Sequence, residues 1–455
     1  MNEFRSRSRY LGVVTAGLLV AAACRTESHQ ATTDSTRGSA AATTTACAPD
    51  NGGLTLPAGF CATIFADSIG HPRHLVVAPN GDVYVNTWSG QYFGGDKGPP
   101  GGYIVMLRDT SRDGRADVVA RFGATSDKGQ GGTGIALHGG AVYAEEGGTI
   151  VRYALPVNGG VPTDSPSTIV RGLPLTGDHP MHPFAIDSAG TIYVDLGSAS
   201  NACQLTNRVP HSPGHDPCTE LRTRGGIWAY DANTVDQTFS PAKRYATGIR
   251  NAVGIAIDGS GQLWSTQHGR DQLAENWPRL YTPEQGQNLP AEELLMIEKD
   301  ADYGWPRCYF DGDLQKLVLA PEYGGDGGRR IADCATKHAP AAFFPAHWAP
   351  DGLLFYTGTT FPARYRSGAF IAFHGSWNRA PGPQGGYQVV FQPLSSGKAS
   401  GAYESFANGF AGGVLQPDAA KHRPTGLAQG PDGAIYISDD KGGRVWKIVY
   451  GGSNR

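Results

Sequence analysis

Residues 176–182, TGDHPMH, put Asp178, His179 and His182 within five positions in a chain that has 13 histidines. An aspartate beside an imidazole can orient the ring and stabilise its charged form, and a histidine in a cleft is the usual general base near neutral pH. With a reference pKa of about 6.5, the free ring accepts a proton above that pH. The same residues equally suit a loop in which a histidine caps a turn, and only geometry separates the two.

Other stretches carry chemistry of a different kind. TGIRNAVGIAID, residues 247–258, places Arg250 and Asn251 at the mouth of a strand, a forked cation and an amide suited to a carboxylate or a quinone oxygen. In STQHGRDQLAENW a bend at Gly269 and Arg270 would present backbone carbonyls to a hard cation such as calcium, or be a plain hairpin turn. KHRPTGL sets Lys421 and Arg423 two apart on one side of an entering strand, and HGSWNRAPGP adds a Trp, an Asn and an Arg in a Gly/Pro loop. His179, His182, His211 and His215 have spacings that a metal site could use, though such spacings are common in loops. LRDTSRDGRADVV carries acids at 109, 113 and 117 without the glutamate and spacing of an EF-hand, so a solvated turn is the simpler reading. No G-x-S-x-G, Walker loop or dinucleotide fingerprint stands in a strand-to-helix setting, so serine hydrolysis and nucleotide binding have no support.

The elements that must position these residues are strands. Among 455 residues, 64 glycines, 31 prolines, a 10% aromatic share and a 17% charged share describe short strands and tight turns rather than helices. A net charge of −3 offers no basic field for nucleic acid. One pattern recurs: an alternating strand, a turn with Asp or Asn and Gly, then a second strand with Tyr or Trp. Five clear copies start near 71, 132, 182, 251 and 423, and a degenerate sixth, APDGLLFYTGTTFPARYRSGAFIAFHGS, starts at 349. The alternation gives each strand one buried face. Six such copies predict an all-β fold, a six-bladed β-propeller over 53–452, closed by pairing GFCATIFA with RVWKIVY. Long inserted loops on one face, in 86–103, in 270–303 with a helical segment PAEELLMIEKD, and in 308–334, are where a site would be built.

The N-terminus reads as a targeting segment over 1–24. Three arginines precede an apolar run, LGVVTAGLLVAAA, too short to span a bilayer comfortably, and small residues lead into Cys24 as in a bacterial lipoprotein signal. Lipidation at Cys24, a flexible tether over 25–52 and a periplasmic, membrane-anchored domain are the expectation, with plain secretion as the alternative. The other cysteines fall into local pairs, Cys47 with Cys61, Cys203 with Cys218 and Cys308 with Cys334, which in an exported chain read as disulfides.

In order, GDHPMHPFAIDSAGTIYVDLGSASN, TGIRNAVGIAID, LWSTQHGRDQL, EELLMIEKDADYGWPRCYFDG, APDGLLFYTG, FIAFHGSWNR and RPTGLAQGPDGAIYISDD resemble the pyrroloquinoline-quinone-dependent soluble sugar dehydrogenases. The resemblance is greater to their sorbosone-dehydrogenase branch. It implies two cofactors, pyrroloquinoline quinone (PQQ) over the propeller axis and a calcium ion polarising its carbonyl. His179 would take the sugar's proton with Asp178 supporting it, while hydride passes to the quinone. Arg250, Asn251, Lys421 and Arg423 would hold the cofactor, and Gly269 and Arg270 would bind calcium. The sequence departs from the family where Gly269-Arg270 replaces Gly-Pro and Ala252 replaces a proline. The family's quinone-gripping lysine has no clean match, and Arg379 stands in for it. His182, Tyr303 and Trp305 are expected to wall the substrate pocket. The implied partners are a sugar and an electron acceptor, a cytochrome or a quinone. A calcium-dependent propeller hydrolase of the lactonase kind and a non-catalytic carbohydrate-binding propeller remain as alternatives.

Overall fold

The computed structural model describes residues 47–87, 100–125, 132–379 and 382–451. The signal segment, Cys24, most of the tether and much of the first inserted loop lie outside them. Six blades follow the chain, each built on four antiparallel strands, with the two-residue strands Gln237–Thr238 (parallel) and Lys398–Ala399 added to blades 2 and 5. Blade 1 is Pro72–Val77, Val83–Thr87, Ile104–Arg108 and Val118–Phe122; blade 2 is Ile135–His138, Ala141–Glu146, Thr149–Ala154 and Ser167–Arg171. Blade 3 is Phe184–Ile186, Thr191–Leu196, Gly226–Asp231 and Arg244–Thr247; blade 4 is Ile255–Ile257, Leu263–Gln267, Glu292–Met296 and Ala342–Phe344. Blade 5 is Pro350–Phe355, Gly368–Phe373, Gln388–Ser395 and Glu404–Ala407. Blade 6 takes Pro424–Gln429, Ile435–Asp439 and Arg444–Tyr450 from the end of the chain and Phe60–Ala66 from its beginning. That pairing closes the ring, as expected from the sequence.

In blades 1, 3, 4 and 6 the hairpins between first and second strands are the recurring Asx-containing turns; blade 2 turns on Gly139 and Gly140, and blade 5 on the longer stretch 356–367. In DGSG the Asp258 carboxylate accepts from the amides of Ser260 and Gln262, and Gly261 supplies φ 88°. The alternation does not, however, mark one buried face. Val83 and Val85 enter a cluster shared with blade 6, while Tyr84 between them enters one shared with blade 2. Ile435 and Ile437 likewise face blade 5, and Tyr436 faces blade 1. A blade is packed between two others, so both faces of its middle strands need apolar side chains. Each of the six junctions between blades has its own apolar cluster.

The first strands face one channel of about 190 Å³, with Leu75, Ala136, Ala185, Ile255, Leu353 and Leu427 supplied one per blade. All three predicted disulfides form, Cys47–Cys61, Cys203–Cys218 and Cys308–Cys334. The segment PAEELLMIEKD is not helical: Glu292–Met296 is the third strand of blade 4, paired to Leu263–Gln267 and Ala342–Phe344. The short helices of that insertion are Leu273–Asn276 and Pro283–Asn288, the second opened by a Thr282–Gln285 capping box. They pack with the two-stranded sheet Cys308–Asp311 and Lys316–Leu319, through Leu273, Tyr281 and Leu289 against Tyr309 and Val318. Among the described residues no helix is long and apolar enough to cross a membrane.

Candidate active site

The residues that begin first strands and those that follow second strands meet around one cavity of about 660 Å³. Arg73, Asp351 and Arg423 come from first-strand entries, and His268, His374 and Asp440 from second-strand exits. Asp178, His179, Arg250, Asn251 and Gly269 line the same cavity.

His179 is held from below. Its carbonyl accepts from Arg224, and Gly197 allows the loop to approach, since a Cβ there would lie 2.6 Å from that of His179. Nδ1 lies 2.9 Å from the Ser198 carbonyl oxygen, and the Ser198 hydroxyl donates to Ser200 O. A carbonyl can only accept, so Nδ1 carries the hydrogen and Nε2 keeps the lone pair. Burial, reinforced by the Arg250 charge, holds the imidazole pKa well below its ordinary value, so the ring is a neutral acceptor. The support expected from Asp178 comes instead from Ser198. The Asp178 carboxylate accepts from Arg208 Nε at 3.0 Å and from Asn207.

Arg250 is buried and fully engaged: it donates to Asn201 O, Asn201 Oδ1, Gly269 O and Asp271 Oδ2. Burial would raise the Asp271 pKa, but the guanidiniums of Arg250 and Arg208 outweigh it and keep the carboxyl ionised. Beneath the cavity Arg73 Nη1 bridges Asp440 at 2.5 Å and Asp351 at 3.3 Å. The second oxygen of each acid meets an imidazole, Asp351 with His268 at 3.1 Å and Asp440 with His374 at 2.8 Å. Burial would lower His268, but Asp351 outweighs it and raises the pKa; Asp440 is held down at about 2 against its burial by His374 and Arg73. Glu292 caps two backbone amides, those of Gly269 and Ala349, and burial raises its pKa.

Several sequence expectations fail here. His182 is no pocket wall: it is buried, with Nδ1 2.9 Å from Glu145 Oε1 and Nε2 2.9 Å from Pro174 O. Tyr303 and Trp305 are also core residues, donating to Met296 O and Asn201 O. Arg379 does not line the cavity: it donates to Ala346 O, Gln287 O and Asn288 Oδ1. Lys421 is exposed and does not line the cavity. The calcium cradle is not formed either. Gly269 O accepts from Arg250 Nη1 at 3.0 Å, so a divalent ion there would face a guanidinium, and the Arg270 side chain pairs with buried Glu322. Among the described residues no three His, Cys, Asp or Glu side chains gather as a metal site, and the four-histidine arrangement is absent. Calcium therefore has no fitted site at this bend.

Sequence reasoning missed Arg73, Arg208, His268, Asp271, Glu292, His347, Asp351, His374 and Asp440. A signal for three of them was present. His268 in TQHG, His374 in AFHGS and Asp440 in SDDKG occupy the same place in their repeats, directly after a second strand.

Among the groups on the cavity without a hydrogen-bond partner in the described residues are His179 Nε2, the Asn251 side-chain amide and Arg423 Nη1. They are an acceptor, an amide and a cation, the set that a planar, multiply carboxylated ligand would engage.

Six blades surround an axial cavity lined with imidazoles, guanidiniums and carboxylates. A family model described as TrAA12-like matches residues 54–451, and the chain belongs to that family. Among curated proteins it is 28% identical over 242 residues to the pyrroloquinoline quinone-dependent pyranose dehydrogenase of Coprinopsis cinerea, covering 44% of this chain and 30% of that protein. The chain spans less than half the length of the curated relatives it matches. A Trichoderma reesei structure of Carbohydrate-Active Enzymes Family AA12 superposes with a TM-score of 0.69 at 21% identity, over 88% of this chain and 98% of that one. The holo form of the Coprinopsis cinerea pyranose dehydrogenase PQQ domain superposes with a TM-score of 0.66 at 20% identity, over 87% and 97%. At these identities the likeness is one of fold.

Proposed function

We propose that the chain is a PQQ-dependent dehydrogenase that oxidises an aldose or related sugar aldehyde at the axial cavity. The observation that carries the reading is the set of uncommitted groups there: the lone pair of His179 Nε2, the Asn251 amide and the Arg423 guanidinium on one wall system of about 660 Å³. Similarity to the pyrroloquinoline quinone-dependent pyranose dehydrogenase and to the holo form of its PQQ domain supports the same cofactor.

The residues fit PQQ. Arg423 would offer a cation to one of its carboxylates and Asn251 an amide to a ring oxygen. Bound there, PQQ would supply the two-electron acceptor for hydride from the substrate carbon. His179 Nε2 takes the proton of the substrate hydroxyl, and Ser198 keeps the ring in the tautomer that can accept it. Arg250 holds Asp271, Asn201 and the Gly269 carbonyl in place, fixing the wall from which Asn251 projects.

The reading includes export to the periplasm, anchorage through acylated Cys24, and a cytochrome or quinone as electron acceptor. An acylated cysteine in the N-terminal peptide by mass spectrometry is the expected result, and a chain cleaved beyond Cys24 would remove the anchor. For the activity, PQQ is titrated into the purified apoprotein with and without calcium chloride, and dye reduction is followed with a panel of sugars. Saturable uptake with sugar-dependent dye reduction is expected. An apoprotein that takes up no PQQ, or that hydrolyses lactones instead, overturns the assignment.

A further inference from the structure

The loop after the second strand of blade 5 holds a side chain unlike its neighbours. Trp377 lines the cavity yet is 56% exposed, the one aromatic among the large apolar side chains left exposed in the described residues. An exposed indole forfeits the gain of burying a surface of that size, and here it does so on the lining of the cavity.

Its neighbours are all fastened. The Ser376 hydroxyl donates to Gln384 Oε1 at 2.6 Å, and Ser376 O accepts from the Tyr387 hydroxyl at 2.7 Å. Asn378 donates to Asp271 Oδ1 at 2.7 Å, and Arg379 donates to Ala346 O at 2.8 Å. Among residues 376–379 only Trp377 has a side chain without a hydrogen bond. The loop is anchored on both sides of the indole, which holds an apolar plane ready at the rim of a cavity lined largely by charged and polar groups.

We propose that Trp377 is the platform on which the apolar face of a pyranose ring stacks, and so selects cyclic sugars over open-chain aldehydes. The inference rests on the dehydrogenase reading above. Sugar C–H faces pack on indole while the hydroxyls turn to polar walls. The alternative occupant is the quinone, but the groups suited to it, His179, Asn251 and Arg423, are buried or half-buried, whereas the indole stands at the solvent rim.

The test compares wild type, Trp377→Ala and Trp377→Phe as PQQ-loaded enzymes with a pyranose aldose and with glyceraldehyde, which forms no pyranose. Trp377→Ala should raise KM for the pyranose by roughly three- to tenfold. The change should fall on KM more than on kcat, spare KM for glyceraldehyde and be largely rescued by Trp377→Phe. PQQ uptake, followed by cofactor absorbance, should be unaltered by either substitution. A fall in PQQ affinity with no selective change in KM would make the indole a cofactor cover and overturn the proposal, as would equal KM changes for both substrates. If wild type takes up no PQQ, the dehydrogenase reading fails separately. Quenching of tryptophan fluorescence by a non-oxidisable methyl pyranoside then decides the platform: present in wild type and lost in Trp377→Phe supports it, and no difference overturns it.

Discussion

At His179, chemistry depends on which nitrogen carries the hydrogen. Ser198 settles that by offering a carbonyl to Nδ1, so a substitution that keeps the donor but removes the basic nitrogen isolates the base. His179→Gln keeps an amide donor for Ser198 O. It should lower kcat by about 10²–10⁴-fold, the usual worth of a general base, while PQQ uptake is retained. The pH dependence follows from the sign of the shift. Burial and the Arg250 charge lower the pKa, so the ring stays unprotonated, and able to accept, to a pH well under its ordinary value. The acid limb of kcat measured by dye reduction should therefore fall below pH 6.5. A limb at or above that value would move the role to His268, whose pKa Asp351 raises against its burial.

At the scale of elements, the site is an assembly of strand ends. Arg73 enters from blade 1, Asp351 from blade 5 and Asp440 from the exit of a blade 6 strand, so one guanidinium joins three blades. Removing it leaves two buried carboxylates without their cation. Arg73→Met should cost about 3–5 kcal/mol in urea unfolding. Arg73→Lys should recover part of that, because a point charge can meet both acids but not as a planar fork. A loss under about 1 kcal/mol would mean that His268 and His374 alone neutralise the acids. Strand Glu292–Met296 makes the opposite point about local preference. Glu, Leu and Met favour helix, yet Leu294 and Leu295 are fully buried toward different junctions and Glu292 caps amides of a neighbouring loop. Pairing on both edges outweighs a propensity of a few tenths of a kcal/mol per residue, which is why the segment misreads as helix.

At the scale of the whole molecule, the ring was legible because each Asx-Gly hairpin is local, whereas the site was legible only in part. Asp178, His179, Arg250, Asn251 and Arg423 reach the cavity because they stand in loops that enter strands, and Gly269 because it follows His268 at a strand exit. Asp271 and Arg208 stand 63 residues apart and meet only because insertions fold back over blades 3 and 4, a contact with no local signature. Closure itself is testable. Phe60, in the one strand of blade 6 drawn from the start of the chain, packs on Phe361, Tyr365 and Phe406 at centroid distances of 4.7, 5.4 and 5.0 Å. Phe60→Ala removes the ring that ties the closing strand to blade 5, at a cost of about 3–5 kcal/mol. Blade 6 also supplies Arg423 and Asp440 to the cavity, so closure and ligand site should fail together. In urea, tryptophan fluorescence and the absorbance of bound PQQ should shift to lower midpoints by the same amount. If bound PQQ were lost well before the fluorescence change, blade 6 would be detaching as a separate unit, and closure would not be the element on which cooperative folding of the ring depends.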